Sequence, residues 1–185
     1  MVPFYQRTKD KSPSFLLVRA LKHCVRRNDA LDLGCGAGRD TRFLLQQGFH
    51  VTAVDRNPEA FRRLQDISSD RLTLVQDSFE TFSFGTYDLV SAQWSLPFMQ
   101  SNHFEETLHK IKQALRPDSI FTGQFFGVND AWNTQGETMT FCTREQALHL
   151  LHDLHIITFW EVEEDTQTTL GEPKHWHVFH FIARK

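Results

Sequence analysis

Short continuous apolar runs alternate along the chain with longer stretches in which apolar residues return every third or fourth position. The first pattern suits strands covered on both faces, the second amphipathic helices. Phe15, Leu16, Val18, Leu21 and Val25 predict a helix over 14–26, with Ser12 and Ser14 as cap candidates. A strand follows at 30–33, then a helix ending at Gly48, then the strand "HVTAVD" (50–55). Asn57-Pro58 reads as the cap and first turn of a helix through Phe61 and Leu64, where the missing proline N–H does no harm. "RLTLVQD" (71–77) and "YDLVSA" (87–92) predict two more strands. Phe104, Leu108, Ile111 and Leu115 make one face of a helix over 102–115, with Asn102 and Glu105 at capping-box spacing and Pro117 as its stop. "SIFTGQFFG" (119–127) is the fifth strand, and Thr143 with Gln146 caps a helix carrying Leu148, Leu150 and Leu151. "HIITFWEVEE" (155–164) and "HWHVFHFIA" (175–183) are joined by a short polar link, so they pair antiparallel.

Five strand–helix alternations imply parallel pairing with helices on both faces, and the closing hairpin adds antiparallel strands at one edge. The expected class is α/β: a doubly wound, mostly parallel sheet of seven strands. Neither a repeat nor a Pro/Gly/Ser-rich linker interrupts it, which predicts a single domain over 1–185.

Composition narrows the partners. The 185 residues are 40% apolar and 23% charged, with a net charge of −3. That balance gives no basic field for nucleic acid, and "RALKHCVRRN" (19–28) reads as a solvated helix face. Cys24, Cys35 and Cys142 are odd in number and widely spaced, with neither zinc nor disulfide spacing. The first fifteen residues lack a signal-peptide core and no run is long enough to span a bilayer, so a cytoplasmic protein without membrane contact is expected.

The chemistry concentrates in "ALDLGCGAGRD" (30–40), a buried strand breaking into alternating glycines and opening a helix. Nicotinamide dinucleotides, nucleoside triphosphates and S-adenosylmethionine all use glycine-rich turns. A dinucleotide fingerprint needs G-x-G-x-x-G, and this chain has Arg39 at the third glycine; a P-loop needs Gly-Lys-Ser or Gly-Lys-Thr, and neither occurs. Asp55, at the end of the second strand, suits paired ribose hydroxyls, and Asp77-Ser78-Phe79, after the third, suits an adenine amino group and ring.

On these motifs, together with "VTAVD" (51–55), "VQDSF" (75–79), "YDLVSAQWS" (87–95) and "LRPDSIFTGQFF" (115–126), the chain resembles the class I S-adenosylmethionine-dependent methyltransferases. The resemblance implies a Rossmann-like fold and a bound S-adenosylmethionine. Gly34, Cys35 and Gly36 would then lie against its methionine end, and Asp32 would steady the turn or meet the amino group. Asp55, with Arg56 beside it, would take the ribose; Asp77, Ser78 and Phe79 the base; Gln93 and Trp94 would flank the methionine and the methyl. "PFYQRTKDKSPS" (3–14) would fold over as a lid, bringing Tyr5 and Arg7 to the site. "GCGAGRD" and the closing "HVFHFIARK" are most similar to the tellurite-resistance branch, which implies a small-molecule acceptor such as a thiol or chalcogen oxyanion. One departure is Pro117-Asp118-Ser119 where the family has Pro-Gly-Gly.

In "EPKHWHVFH" (172–180), His175 and His177 share a strand face and His180 points the other way. His175, next to Lys174, is the candidate catalytic substrate contact together with Trp94, and no metal is expected. The competing readings are a non-catalytic domain binding S-adenosylmethionine or S-adenosylhomocysteine, and a nicotinamide oxidoreductase. The assembly expected is a monomer or homodimer.

Overall fold

The computed structural model describes residues 6–8, 11–134 and 139–185. Its helices are α1 (Phe15–Ala20), α2 (Arg39–Gln46), α3 (Pro58–Leu64), α4 (Ser101–Gln113) and α5 (Arg144–Leu150). Its strands are β1 (Asp29–Leu33), β2 (His50–Asp55), β3 (Leu72–Gln76), β4 (Tyr87–Ala92), β5 (Leu115–Gly127), β6 (Phe141–Cys142), β7 (His155–Gln167) and β8 (Pro173–Arg184). Seven form one path, β3-β2-β1-β4-β5-β8-β7, and the two-residue β6 pairs with β5 beside it. The first five run parallel; β8 is antiparallel to both neighbours. This is the Rossmann-like methyltransferase fold anticipated from the sequence.

Alternation along the strands divides the core between two faces. Leu31, Val90, Phe121 and Phe125 pack with α4 and α5. Ala30, Val51, Leu89 and Ile120 pack with Leu16 and Leu17 of α1 and Leu44 and Leu45 of α2. The helices therefore leave the carboxyl ends of β1, β2 and β4 open, where an open α/β sheet holds its ligand.

Several boundaries differ from the pattern-based expectation. The first helix closes at Ala20 with a 3₁₀ turn (Leu21–His23) instead of running to 26. The Asn102–Glu105 box does not form, because α4 starts one residue earlier behind Gln100, without a side-chain cap. Pro117 is not the helix stop but sits inside β5, where a register shift opposite Tyr87 and Leu89 and a left-handed Asp118 (φ +64°) accommodate it. The β3–β4 link holds no helix, and the closing strands are longer than their apolar cores. The Asn57 and Thr143 caps form: Asn57 Oδ1 accepts the Glu59 N–H at 3.0 Å, and Thr143 with Gln146 makes a reciprocal capping box. Among the described residues, no helix is long and apolar enough to cross a membrane.

Candidate active site

The glycine turn after β1 is fixed by sterics and by two hydrogen bonds. The Gly34 and Cys35 N–H groups both donate to the Val54 carbonyl, at 2.8 and 3.1 Å, tying the turn to β2. Gly34 has φ +76°, and a Cβ there would fall 2.4 Å from Ser95 Cβ. Gly38 has φ +81°, and a Cβ there would fall 2.0 Å from Leu64 Cδ2 on α3. The third glycine of G-x-G-x-G is thus demanded by helix packing and left-handed backbone together.

A cavity of about 860 Å³ opens beyond this turn, at the large end of the range usual for small-molecule sites. Asp32, Gly34, Cys35, Gly36, Asp55, Arg56, Asp77, Ser78, Phe79, Gln93 and Trp94 all contribute to its wall. Asp55 is held from two sides: Oδ2 accepts the Gly36 N–H and Oδ1 the Asn57 N–H, both at 2.9 Å. A carboxylate has about four acceptor sites, so two remain for a ligand's hydroxyl pair. Asp77 uses Oδ1 for the Ser78 N–H (2.8 Å) and the Thr81 hydroxyl, and no described residue bonds its Oδ2.

Asp32 is buried, accepts the Thr41 hydroxyl at 2.5 Å, and has its pKa pushed up to about 7. Burial is the main cause, with the Asp40 and Asp55 charges adding to it, against the Thr41 hydrogen bond and Arg39. A carboxyl raised this way lies ready to ionise beside an incoming cation. Cys35 is the opposite case. Burial and the same two carboxylates, Asp32 and Asp55, lift its thiol far above the ordinary range, so it is no nucleophile.

At the end of β4, Trp94 sits in the left-handed region (φ +57°), a conformation unfavourable to a bulky residue. Its N–H donates to Gln124 Oε1 at 2.7 Å, which turns Gln124 Nε2 toward Gln93 Oε1 at 3.0 Å. The chain of donors fixes both amides and leaves Gln93 Nε2 buried, in the cavity wall, with no partner among the described residues. Gln93 Nε2 is thus a donor in the cavity wall still open to an acceptor.

The far half of the cavity is aromatic. Trp94 meets Trp176 at 5.6 Å and His180 at 5.7 Å between ring centroids, both edge to face. His180 stacks on Trp160 at 4.7 Å and 9°, and Phe15 closes on both at 5.9 Å. Burial lowers the His180 pKa to about 4, so the ring is neutral at pH 7. Beneath Trp176, the Lys174 ammonium lies 3.5 Å from the ring centroid and 2.6 Å from each oxygen of Asp130. Among the described residues, eight large hydrophobic side chains are exposed, and four of them (Phe15, Trp94, Phe98 and Leu170) line this cavity. Such clustering is the mark of a binding surface.

Two of the expected site residues, Arg7 and His175, are not in this wall. Tyr5 lies outside the described residues. Arg7 donates to the Thr169 carbonyl at 3.2 Å on the β7–β8 turn, while Thr8 and Lys11 of the same segment do reach the cavity. His175 is on the opposite face of β8, against Asp165 (2.8 Å) and Glu163 (3.3 Å), which raise its pKa. The cavity histidine is instead His180, because strand alternation gives 176, 178 and 180 to the cavity face. The signal was present in the alternating aromatics of Trp160, Trp176 and His180, but only the hairpin register pairs Trp160 with His180.

Glu161, Glu163 and His177 also cluster on that outer face at metal-binding distances. His177 Nδ1 accepts the Asn129 N–H (3.1 Å), so Nε2 carries the proton and donates to Glu161 at 2.9 Å. A metal on Nε2 would force a proton onto Nδ1, against that N–H donor. The cluster is therefore wired as a hydrogen-bonded brace.

Fold, glycine turn and acidic strand ends together are those of the Rossmann-like methyltransferase fold. Residues 30–118 match the family model described as a methyltransferase domain. Two curated relatives are an uncharacterized methyltransferase, sll0829, of Synechocystis sp. and the mouse N-terminal Xaa-Pro-Lys N-methyltransferase 1. The first is 33% identical over 93 residues, 49% of this chain and 43% of that protein. The second is 32% identical over 98 residues, 49% of this chain and 44% of that protein. The chain thus spans less than half the length of either. Among solved structures, TehB from Haemophilus influenzae superposes with a TM-score of 0.80 at 15% identity, covering 98% of this chain and 65% of that one. The 1,6-didemethyltoxoflavin-N1-methyltransferase of Burkholderia thailandensis, solved with its substrate and S-adenosylhomocysteine, gives 0.70 at 23%, covering 92% and 76%.

Proposed function

We propose that this protein transfers a methyl group from S-adenosylmethionine to a small-molecule acceptor. The observation that carries this reading is one continuous cavity with two chemically different halves meeting at Trp94. On one side lie the glycine turn and three carboxylates; on the other lies the aromatic wall.

S-Adenosylmethionine, when bound, supplies an electrophilic methyl on a sulfonium. The residues present fit it. The open backbone at Gly34 and Gly36 receives the methionine end, Asp32 balances the ammonium, and Gln93 Nε2 donates to an oxygen of that end. The two remaining acceptor sites of Asp55 take the ribose hydroxyls, and Asp77 Oδ2 takes the adenine amino group beside Ser78 and Phe79. Arg56 flanks the ribose. Trp94 holds the junction, and the aromatic half excludes water from the acceptor and aligns it, which is the protein's main task in such a displacement.

Calorimetry tests the cofactor half. S-Adenosylmethionine is expected to bind with micromolar affinity, about −8 kcal/mol, and Asp55→Ala to weaken it by about 1–3 kcal/mol. Formation of S-adenosylhomocysteine with an added acceptor then separates an enzyme from a binding module. If neither the wild type nor the variant binds the cofactor, the reading fails.

A further inference from the structure

The aromatic half of the cavity carries more than a generic small molecule. Only 5% of His180 is exposed, yet its Nδ1 is sealed without a hydrogen bond, and no described residue bonds its Nε2. A phenyl ring would fill the stack on Trp160 equally well. An imidazole adds one acceptor nitrogen and one N–H; here Nδ1 is sealed, and Nε2 is the ring nitrogen left for a ligand at the cavity wall. The surrounding charge is equally informative. The part of the wall built from β5 and from the β7–β8 hairpin with its turn contributes Glu164 and Glu172 and, among the described residues, no lysine or arginine. The nearby ammonium of Lys174 is committed to Asp130. Lys11, Arg39 and Arg56 also line the cavity, but from outside these strands, and Arg39 is engaged by Ser14 and Asp40. A cationic acceptor would be repelled by the sulfonium of the donor.

The geometry points to an uncharged, flat aromatic acceptor that packs against Trp94, Trp160 and Trp176 and donates an N–H or O–H to Nε2 of His180, the sealed Nδ1 keeping the ring proton. This assignment rests on the methyltransferase reading above, and it replaces the thiol or chalcogen oxyanion suggested by the tellurite-resistance resemblance. His180 binds and orients the acceptor through the hydrogen atom borne by the group to be methylated. The aromatic rings supply the face contacts, for which flat ligands are best matched.

The test uses paired probes on the full chain saturated with S-adenosylhomocysteine. Indole and 1-methylindole differ by one N–H; 2-naphthol and 2-methoxynaphthalene differ by one O–H. In at least one pair the donor-bearing probe is expected to bind about five- to tenfold more tightly than its methylated partner. Whichever pair discriminates identifies the donating atom. His180→Phe should abolish that ratio while keeping S-adenosylhomocysteine affinity, which also reports that the variant is folded. Selenite and 2-mercaptoethanol should show no saturable binding. Saturable selenite or thiol binding without aromatic binding would overturn the acceptor class. Equal affinities within both pairs on the wild type would overturn the role of His180, whether or not the variant folds. Failure of S-adenosylhomocysteine itself to bind would instead remove the underlying methyltransferase reading.

Discussion

At the scale of single residues, two titrating groups give opposite pH behaviour. Asp32 has a folded pKa of about 7, above its ordinary 3.8, so the fold favours its protonated form. Its contribution to stability is therefore present at low pH and lost as pH rises through 7. A bound ammonium favours the ionised form, so S-adenosylmethionine should bind roughly tenfold more tightly at pH 8 than at pH 6. Titration across that range reads the effect, and Asp32→Asn should flatten it. His180 has a folded pKa near 4, below its ordinary 6.5. The unfolded chain takes up that proton first, and stability falls as pH drops from 6.5 towards 4. Replacing His180 by phenylalanine should remove about 2–3 kcal/mol of that loss, measured by denaturant unfolding at pH 7 and pH 4.5. The strand-end acids were legible from sequence because each follows an apolar run directly. His180 was visible as a residue but not as a site residue, since choosing between the two faces of β8 requires knowing which one meets α1 and Trp160.

At the scale of elements, the hairpin of β7 and β8 is the piece whose shape matters most. It is braced by the Asp130–Lys174 pair, both members of which are buried. Asp130 also accepts the Trp132 and His177 backbone N–H groups, at 3.0 and 3.2 Å, joining the loop after β5 to β8. Asp130→Ala would strand a buried ammonium beneath Trp176, and should cost about 3–5 kcal/mol in an unfolding titration. Asp130→Leu combined with Lys174→Met should recover only part of that, because the Trp132 and His177 N–H groups stay without their acceptor. The caps and the hairpin could be read in advance, because Asn57-Pro58 and Thr143-x-x-Gln146 act locally. The inclusion of Pro117 in β5 could not, because it depends on a register shift against β4, whose paired residues lie 28 or more positions away in the chain.

At the scale of the whole molecule, cofactor binding should stabilise the fold as a unit. The cavity wall draws on the ends of β1, β2 and β4 and on both strands of the hairpin. S-Adenosylhomocysteine at a hundred times its Kd should add about 2.7 kcal/mol. That corresponds to a Tm rise of roughly 5–10 °C in a thermal melt for a chain of this size. The strand order was legible because the alternation of strand and helix leaves few parallel topologies. The full reach of the hairpin was not, since the strand read from the pattern ends at Glu164, whereas β7 runs on through the polar Asp165, Thr166 and Gln167. The charges of Glu161, Glu163 and Asp165 also guard β7, which among the described residues ends the sheet with an unpaired edge.

The hairpin outruns its neighbour. Pairing between β5 and β8 stops at Phe126 and Val178, while β7 and β8 continue together to Gln167 and Pro173. The overhang carries Trp176, Glu164 and Thr166 to the cavity and lies wholly outside the 30–118 stretch that matches the methyltransferase domain family. On the reading proposed above, most of the acceptor wall therefore lies in a length of chain apart from the cofactor turn, with Trp94 shared between the two. Such an arrangement lets a lineage change what it methylates by drift in one ribbon while the inherited machinery of donor binding stays under constant selection.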